Sequence, residues 1–207
     1  KRVPGVGFLM IKKQRKNNLS KGITKVQWTY DPLQSRNASI YINKCGAVVS
    51  DYKRSAYDLV GINAGVEADR FEAVWPIASQ RVYNRVENNS YRQIKSSLLQ
   101  ELKSVPQANK TIIYQEAEKR DYRVIDSSTF GIDRPVIAME IPINFADMIR
   151  TLPEDMERER FSVAKHWREK SRVLFEHYFE RGYVVRDFVV DKENRAYYIL
   201  EKGFKPE

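Results

Sequence analysis

The chain has one cysteine, two histidines and no apolar run longer than a few residues among its 207 positions. A lone cysteine, Cys45, excludes an internal disulfide and any metal site built from several thiolates, and it fits a reducing compartment. The longest apolar runs, such as residues 7–11, fall far short of the ~20 residues that span a bilayer. No segment has the layout of a secretion signal. These absences predict a soluble, cytoplasmic protein that does not enter membranes and holds no metal. On that reading Asn-x-Ser/Thr triplets such as those at Asn37, Asn88 and Asn109 are chance matches. What is present is apolar and aromatic side chain in quantity, 42% and 12% of the residues. That suffices for a real core, excludes intrinsic disorder and suits one domain or one and a half.

Charge is unevenly placed. The net charge is +9, yet residues 1–77 hold 13 Lys and Arg against 6 Asp and Glu, while residues 78–207 hold 23 against 21. An anionic partner is therefore expected on the first third. The chain also opens on Lys1-Arg2 without a methionine, which predicts that residues precede it.

The hydrophobic pattern divides the chain into three regions, 1–77, 78–130 and 131–207. In the first, residues 8–20 read as a helix with an apolar start and a basic outer face, closed by Gly22. Residues 23–30 are β-branched and aromatic and read as a strand ended by Asp31-Pro32. A helix over residues 35–45 stops at Gly46, and residues 47–52 and 70–77 read as strands. The middle region, rich in Asn, Ser and Gln, reads as an insertion with one helix at residues 90–104, whose Ile94, Leu98, Leu99 and Leu102 share a face. In the third region a strand at 135–141, a long helix at 154–181 and a hairpin of 183–190 with 196–201 form an accessory α/β lobe. Phe161, Ala164, Val173, Leu174, Phe175, Tyr178 and Phe179 give the long helix a face for a sheet. The fold class expected is α/β (α+β), a mixed sheet with flanking helices.

Arg2-Val3-Pro4-Gly5-Val6-Gly7 stands directly ahead of the first helix. Glycines there let backbone approach a phosphate, and the free amides of the first turn point at it with the positive end of the helix dipole behind them. Lys12, Lys13, Arg15 and Lys16 add a field suited to a polyanion. The spacing excludes a dinucleotide fingerprint, and the Gly-Lys-Ser/Thr of a P-loop is absent.

One helix and one strand later comes Trp28-Thr29-Tyr30-Asp31-Pro32-Leu33-Gln34-Ser35-Arg36-Asn37-Ala38, running on to Lys44-Cys45-Gly46. In order and spacing this resembles the GNAT superfamily of acyl-CoA-dependent N-acetyltransferases, in particular a subgroup with a Trp-Thr-x-Asp-Pro-Leu-x-x-x-Asn signature. The likeness is close over 1–77, loose over 131–202 and absent over 78–130. It implies a GNAT-like sheet and an acyltransferase that binds acetyl-CoA or another acyl-CoA and acylates an unidentified small-molecule or peptide amine. It implies that Arg2, Val3, Pro4, Gly5, Val6, Gly7 and Phe8 hold the pyrophosphate of coenzyme A, and that Ser35 or Asn37 touches the cofactor. The strand at 23–30 would be one of two splayed strands that admit pantetheine as a pseudo-strand. Tyr41 is the candidate general acid and Asp31 a candidate amine contact. The family's tyrosine position, counted back from Gly46, falls on Ile42, so Tyr41 lies about 100° round an α-helix from it. The fold's earlier strands and helices are not in this sequence, and the usual catalytic base is expected among them.

His166 and His177, eleven residues apart on the long helix, read as packing or solvated residues; Cys45, Trp28 and Trp75 read as core. The rival functions are a basic nucleic-acid-binding protein and a CoA-binding pseudo-enzyme. No base-reading helix or stacking motif supports the first. A homo-oligomer is compatible with the sequence.

Overall fold

A computed structural model describes residues 6–56, 66–115, 121–149 and 157–206. Helix α1 (Val6–Leu19) leads to strand β1 (Val26–Tyr30). A two-part helix follows, an α-helical turn α2 (Ser35–Ala38) that continues as a π-helix over Ser39–Lys44. Next come β2 (Val48–Lys53), β3 (Arg70–Trp75), α3 (Gln80–Val86), α4 (Tyr91–Leu102) and the hairpin β4 (Asn109–Gln115) with β5 (Asp121–Ser128). Strand β6 (Val136–Ile141), the single turn α5 (Phe145–Met148), the long α6 (Glu157–Phe179) and the hairpin β7 (Tyr183–Val190) with β8 (Ala196–Lys202) complete the order.

Six strands form one antiparallel sheet in the order β1-β3-β2-β7-β8-β6, with β4 and β5 paired apart from it. The protein is thus a mixed α/β fold. The sheet crosses the boundary at residue 131: Val49 of β2 pairs with Val185 of β7. Period-2 alternation explains how both faces are filled. On β8, Ala196, Tyr198 and Leu200 join the large core that holds Phe175, Leu174 and Tyr178 of α6. Tyr197 and Ile199 turn to the other face and meet Leu98 of α4, with Ile94, Leu99 and Leu102 packed around them. The amphipathic face expected for α4 is therefore the one used. On α6, Ala164, Leu174, Phe175 and Tyr178 are buried as expected, but Val173 is exposed; the Phe161 side chain lies outside the described residues.

The two edges of the sheet differ. The outer side of β6 is covered: Ala108 donates to Ala138, Ala138 donates to Pro106, and the Asn109 amide exchanges two hydrogen bonds with the backbone of Glu140. Asn109 is fully buried, in keeping with a chance triplet. At the other end β1 pairs only with β3 among the described residues, so its outer backbone groups face a cleft.

Three expectations need correction. The six-stranded sheet pairs antiparallel throughout and is not a mixed sheet. Residues 23–25 are not strand: the register ends with Val26 opposite Trp75, Pro76 beyond it has no N–H to give, and Thr24 meets that segment only through the Ala78 amide, at 3.4 Å. The middle region holds helix α3, capped by the Ser79 hydroxyl accepting from the Val82 amide, and the β4–β5 hairpin. Both are additional to the single helix expected there. No helix among the described residues is long and apolar enough to cross a membrane.

Candidate functional site

The outer edge of β1, which has no strand partner among the described residues, and the facing side of α1 bound a cleft of about 380 Å³. Alternation puts Val26, Trp28 and Tyr30 on one face of β1, where they oppose Trp75, Ala73 and Phe71 of β3. Trp28 meets Trp75 edge-on at 5.9 Å and Tyr41 at 5.2 Å, and Tyr41 also meets Tyr30 at 5.4 Å. Ile11 and Gln14 of α1 form the opposite wall. The indole Nε1 of Trp28 is buried and has no hydrogen-bond partner among the described residues, a donor that costs about 1–3 kcal/mol while unmet.

Tyr41 lines this cleft while Ile42 is fully buried. The 100° offset assumed an α-helix, and here the helix is π. Cys45 donates to Ile40, five residues back, and Ala47 to Tyr41, six back. A π-turn holds one residue more than an α-turn, so a tyrosine five residues before Gly46 still reaches the cleft. Gly46 has a φ of 78° and sits so close to Arg85 that a Cβ would lie 2.9 Å from its Cδ, which leaves room for glycine alone. Cys45 shares the cleft wall, but burial pushes its thiol up to about 12, against a smaller opposing pull from Lys44 and Arg85. It stays protonated near neutral pH and is not a nucleophile.

Of the residues proposed for the pyrophosphate, Arg2, Val3, Pro4 and Gly5 lie outside the described residues. Val6, Gly7 and Phe8 form the first turn of α1, whose amides have no partner within the helix. No described residue lies within 4 Å of where a Gly7 Cβ would stand. The basic face of α1 is smaller than expected. Arg15 is buried, donates through Nε to Ile77 and pairs with Glu87 at 3.0 Å, pinning α1 to the α3 side of the molecule. Lys13 and Lys16 remain exposed. Meanwhile Leu9 and Met10, 64% and 66% exposed, show that the apolar start of α1 is not packed.

Ser35 and Asn37 do not line the cleft. The Ser35 hydroxyl donates to the Ile143 carbonyl at 2.6 Å and is structural. Asn37 is half-buried on the same turn. Asp31 is also committed, accepting from the Leu33 amide through Oδ1 and from Arg168 through Oδ2 at 2.7 Å. Both histidines are used in packing. His166 Nε2 meets the Ile125 carbonyl, and the Gly131 amide donates to His177 Nε2 at 3.1 Å.

Partial burial, helped by the Arg181 guanidinium, holds the His177 ring below its ordinary value. A protonated ring cannot accept the Gly131 bond. The unfolded chain therefore takes up the proton first, so this stabilisation is complete above the free-histidine value of about 6.5 and is lost as pH falls below it. Urea unfolding from about pH 7.5 to about pH 5.5 should show the wild type losing stability relative to His177→Gln. A pH-independent difference between the two would refute it.

Comparison with family models, with curated proteins and with solved structures finds no match to this chain.

Proposed function

We propose that the chain carries the cofactor-binding part of a GNAT-type N-acyltransferase, which moves an acyl group from an acyl-coenzyme A to an amine. The observation that carries this reading is the cleft, an open strand edge faced by a helix, with a tyrosine on its wall. A pantetheine arm is extended and bears amides, so it can pair with the outer backbone groups of β1 as another strand would. Its carbonyls offer the acceptor that Trp28 Nε1 lacks. The amides of the first turn of α1, which have no partner within the helix, with exposed Lys13 and Lys16 on the same helix, suit the phosphates. In this reading Tyr41 protonates the leaving thiolate, and Asp31, held by Arg168, has no part in binding the amine.

The test is calorimetry with acetyl-CoA against a duplex oligonucleotide, followed by thiol release over an amine panel. Acetyl-CoA should bind. Gly7→Ala should keep or slightly raise stability, because alanine favours helix by up to about 1 kcal/mol and the added Cβ meets no described residue, yet weaken acetyl-CoA several-fold by blocking close approach of the backbone. Tyr41→Phe should lower turnover and leave binding intact. Salt-sensitive DNA binding without acetyl-CoA binding would overturn the proposal. Binding with no thiol release from any amine would leave a pseudo-enzyme instead.

A further inference from the structure

We propose that a second pocket, between β5, the end of β6 and the β7–β8 turn, binds a free α-amino acid with an apolar side chain. It measures about 410 Å³, within the usual size of small-molecule sites, and shares no lining residue with the cleft at Tyr41.

Its floor is built around Glu140, only 1% exposed. Arg195 donates to Glu140 from Nε at 3.2 Å and from Nη2, Thr111 Oγ1 donates at 2.8 Å, and Arg123 Nε stands 3.7 Å away. Arg123 is fixed further by two bonds from Nη1 to the carbonyl and hydroxyl of Thr111. These contacts occupy the carboxylate, so Glu140 is an anchor and not a ligand contact. Glu140 and, at the rim, Glu193, whose Oε2 stands 4.0 Å from Arg195 Nη1, already face Arg195, so Arg123 is the rigid, fork-shaped donor left for a carboxylate.

The mouth has the opposite sign, with exposed Asp121 and Asp147. A ligand of a single charge would suit one end and be repelled at the other. A molecule with its carboxylate on Arg123 and its ammonium toward the mouth satisfies both. Ile141, Pro142 and Met148, all buried, supply an apolar wall for its side chain.

Calorimetry with L-leucine, 4-methylpentanoate and 3-methylbutylamine tests this on the whole chain. Leucine should bind at least about tenfold more tightly than either analogue, each of which lacks one charge, a difference of about 1.4 kcal/mol. Arg123→Gln should weaken leucine by a similar factor. The Trp167 indole donates to the Arg123 carbonyl at 2.7 Å, so its N–H resonance should shift during the titration. Should Arg123→Gln fail to fold, Asp121→Asn, at an exposed residue of the mouth, must weaken leucine and leave 4-methylpentanoate unchanged. Equal affinity for the three probes, no leucine binding, or leucine binding untouched by these variants would overturn the proposal.

Discussion

Replacing Arg85 by methionine is expected to lower the unfolding free energy by about 3–5 kcal/mol, the usual cost of removing one member of a buried charge network. Arg85 is almost fully buried. Its Nη1 donates to the carbonyls of Ile42 and Asn43, at 3.2 and 2.7 Å, and its Nη2 to Asp187 at 2.6 Å. The first two bonds satisfy carbonyls at the end of the π-helix, and the third compensates a carboxylate buried within the irregular stretch of β7. Methionine keeps the apolar stem and removes all three. Urea unfolding measures the loss. Near-ultraviolet circular dichroism should change as well, because Tyr41 and Trp28 pack edge-on against each other beside the same turn. A loss below about 1 kcal/mol would mean that the π-turn holds without Arg85.

Asp69→Asn should cost a similar amount, about 3–5 kcal/mol. This carboxylate is completely buried just ahead of β3. It accepts from Tyr52 at 2.6 Å, from the Ser55 amide at 2.9 Å and from Arg172 of α6 twice, at 2.7 and 2.9 Å. It therefore ties the long helix to β2, to the start of β3 and to the loop after β2. Asparagine has nearly the same shape but turns an NH2 group toward the Arg172 guanidinium and leaves it only the exposed Glu67 carboxylate. The nearby Arg54–Glu176 fork, at 2.6 Å on both arms, is an internal comparison because Arg54 is 60% exposed. Glu176→Gln should cost clearly less than Asp69→Asn. Equal losses for the two variants in urea would show that burial is not what sets their worth.

Much of the framework is legible along the chain. The β7–β8 hairpin follows from alternating apolar residues and a turn at Lys192-Glu193-Asn194, with Asn194 at a φ of 61°. Helix α1, helix α4 and the burial of Cys45 and Trp75 follow from pattern and residue type. The β4–β5 hairpin was also legible, in Thr111-Ile112-Ile113-Tyr114, but polar composition around it hid the β-branched run. Helix α3 had its signal in Ser79, three residues ahead of the Val82 amide it caps. The π-helix had none. Its residues are ordinary helix formers, and the arginine that meets its last carbonyls lies more than forty residues away.

The sequence by itself determined the class of the fold, the faces of its main elements and the need for glycine at position 46, because these depend on side-chain period and on local backbone geometry. The tertiary structure alone decided what the polar candidates do. Arg15 is consumed by Ile77, Ser35 by Ile143 and Asp31 by Arg168, partners 62, 108 and 137 residues distant. A buried polar group must be paired. Which partner it finds is fixed only when the sheet brings distant segments together, and that pairing left Tyr41 and the open edge of β1 facing a cleft.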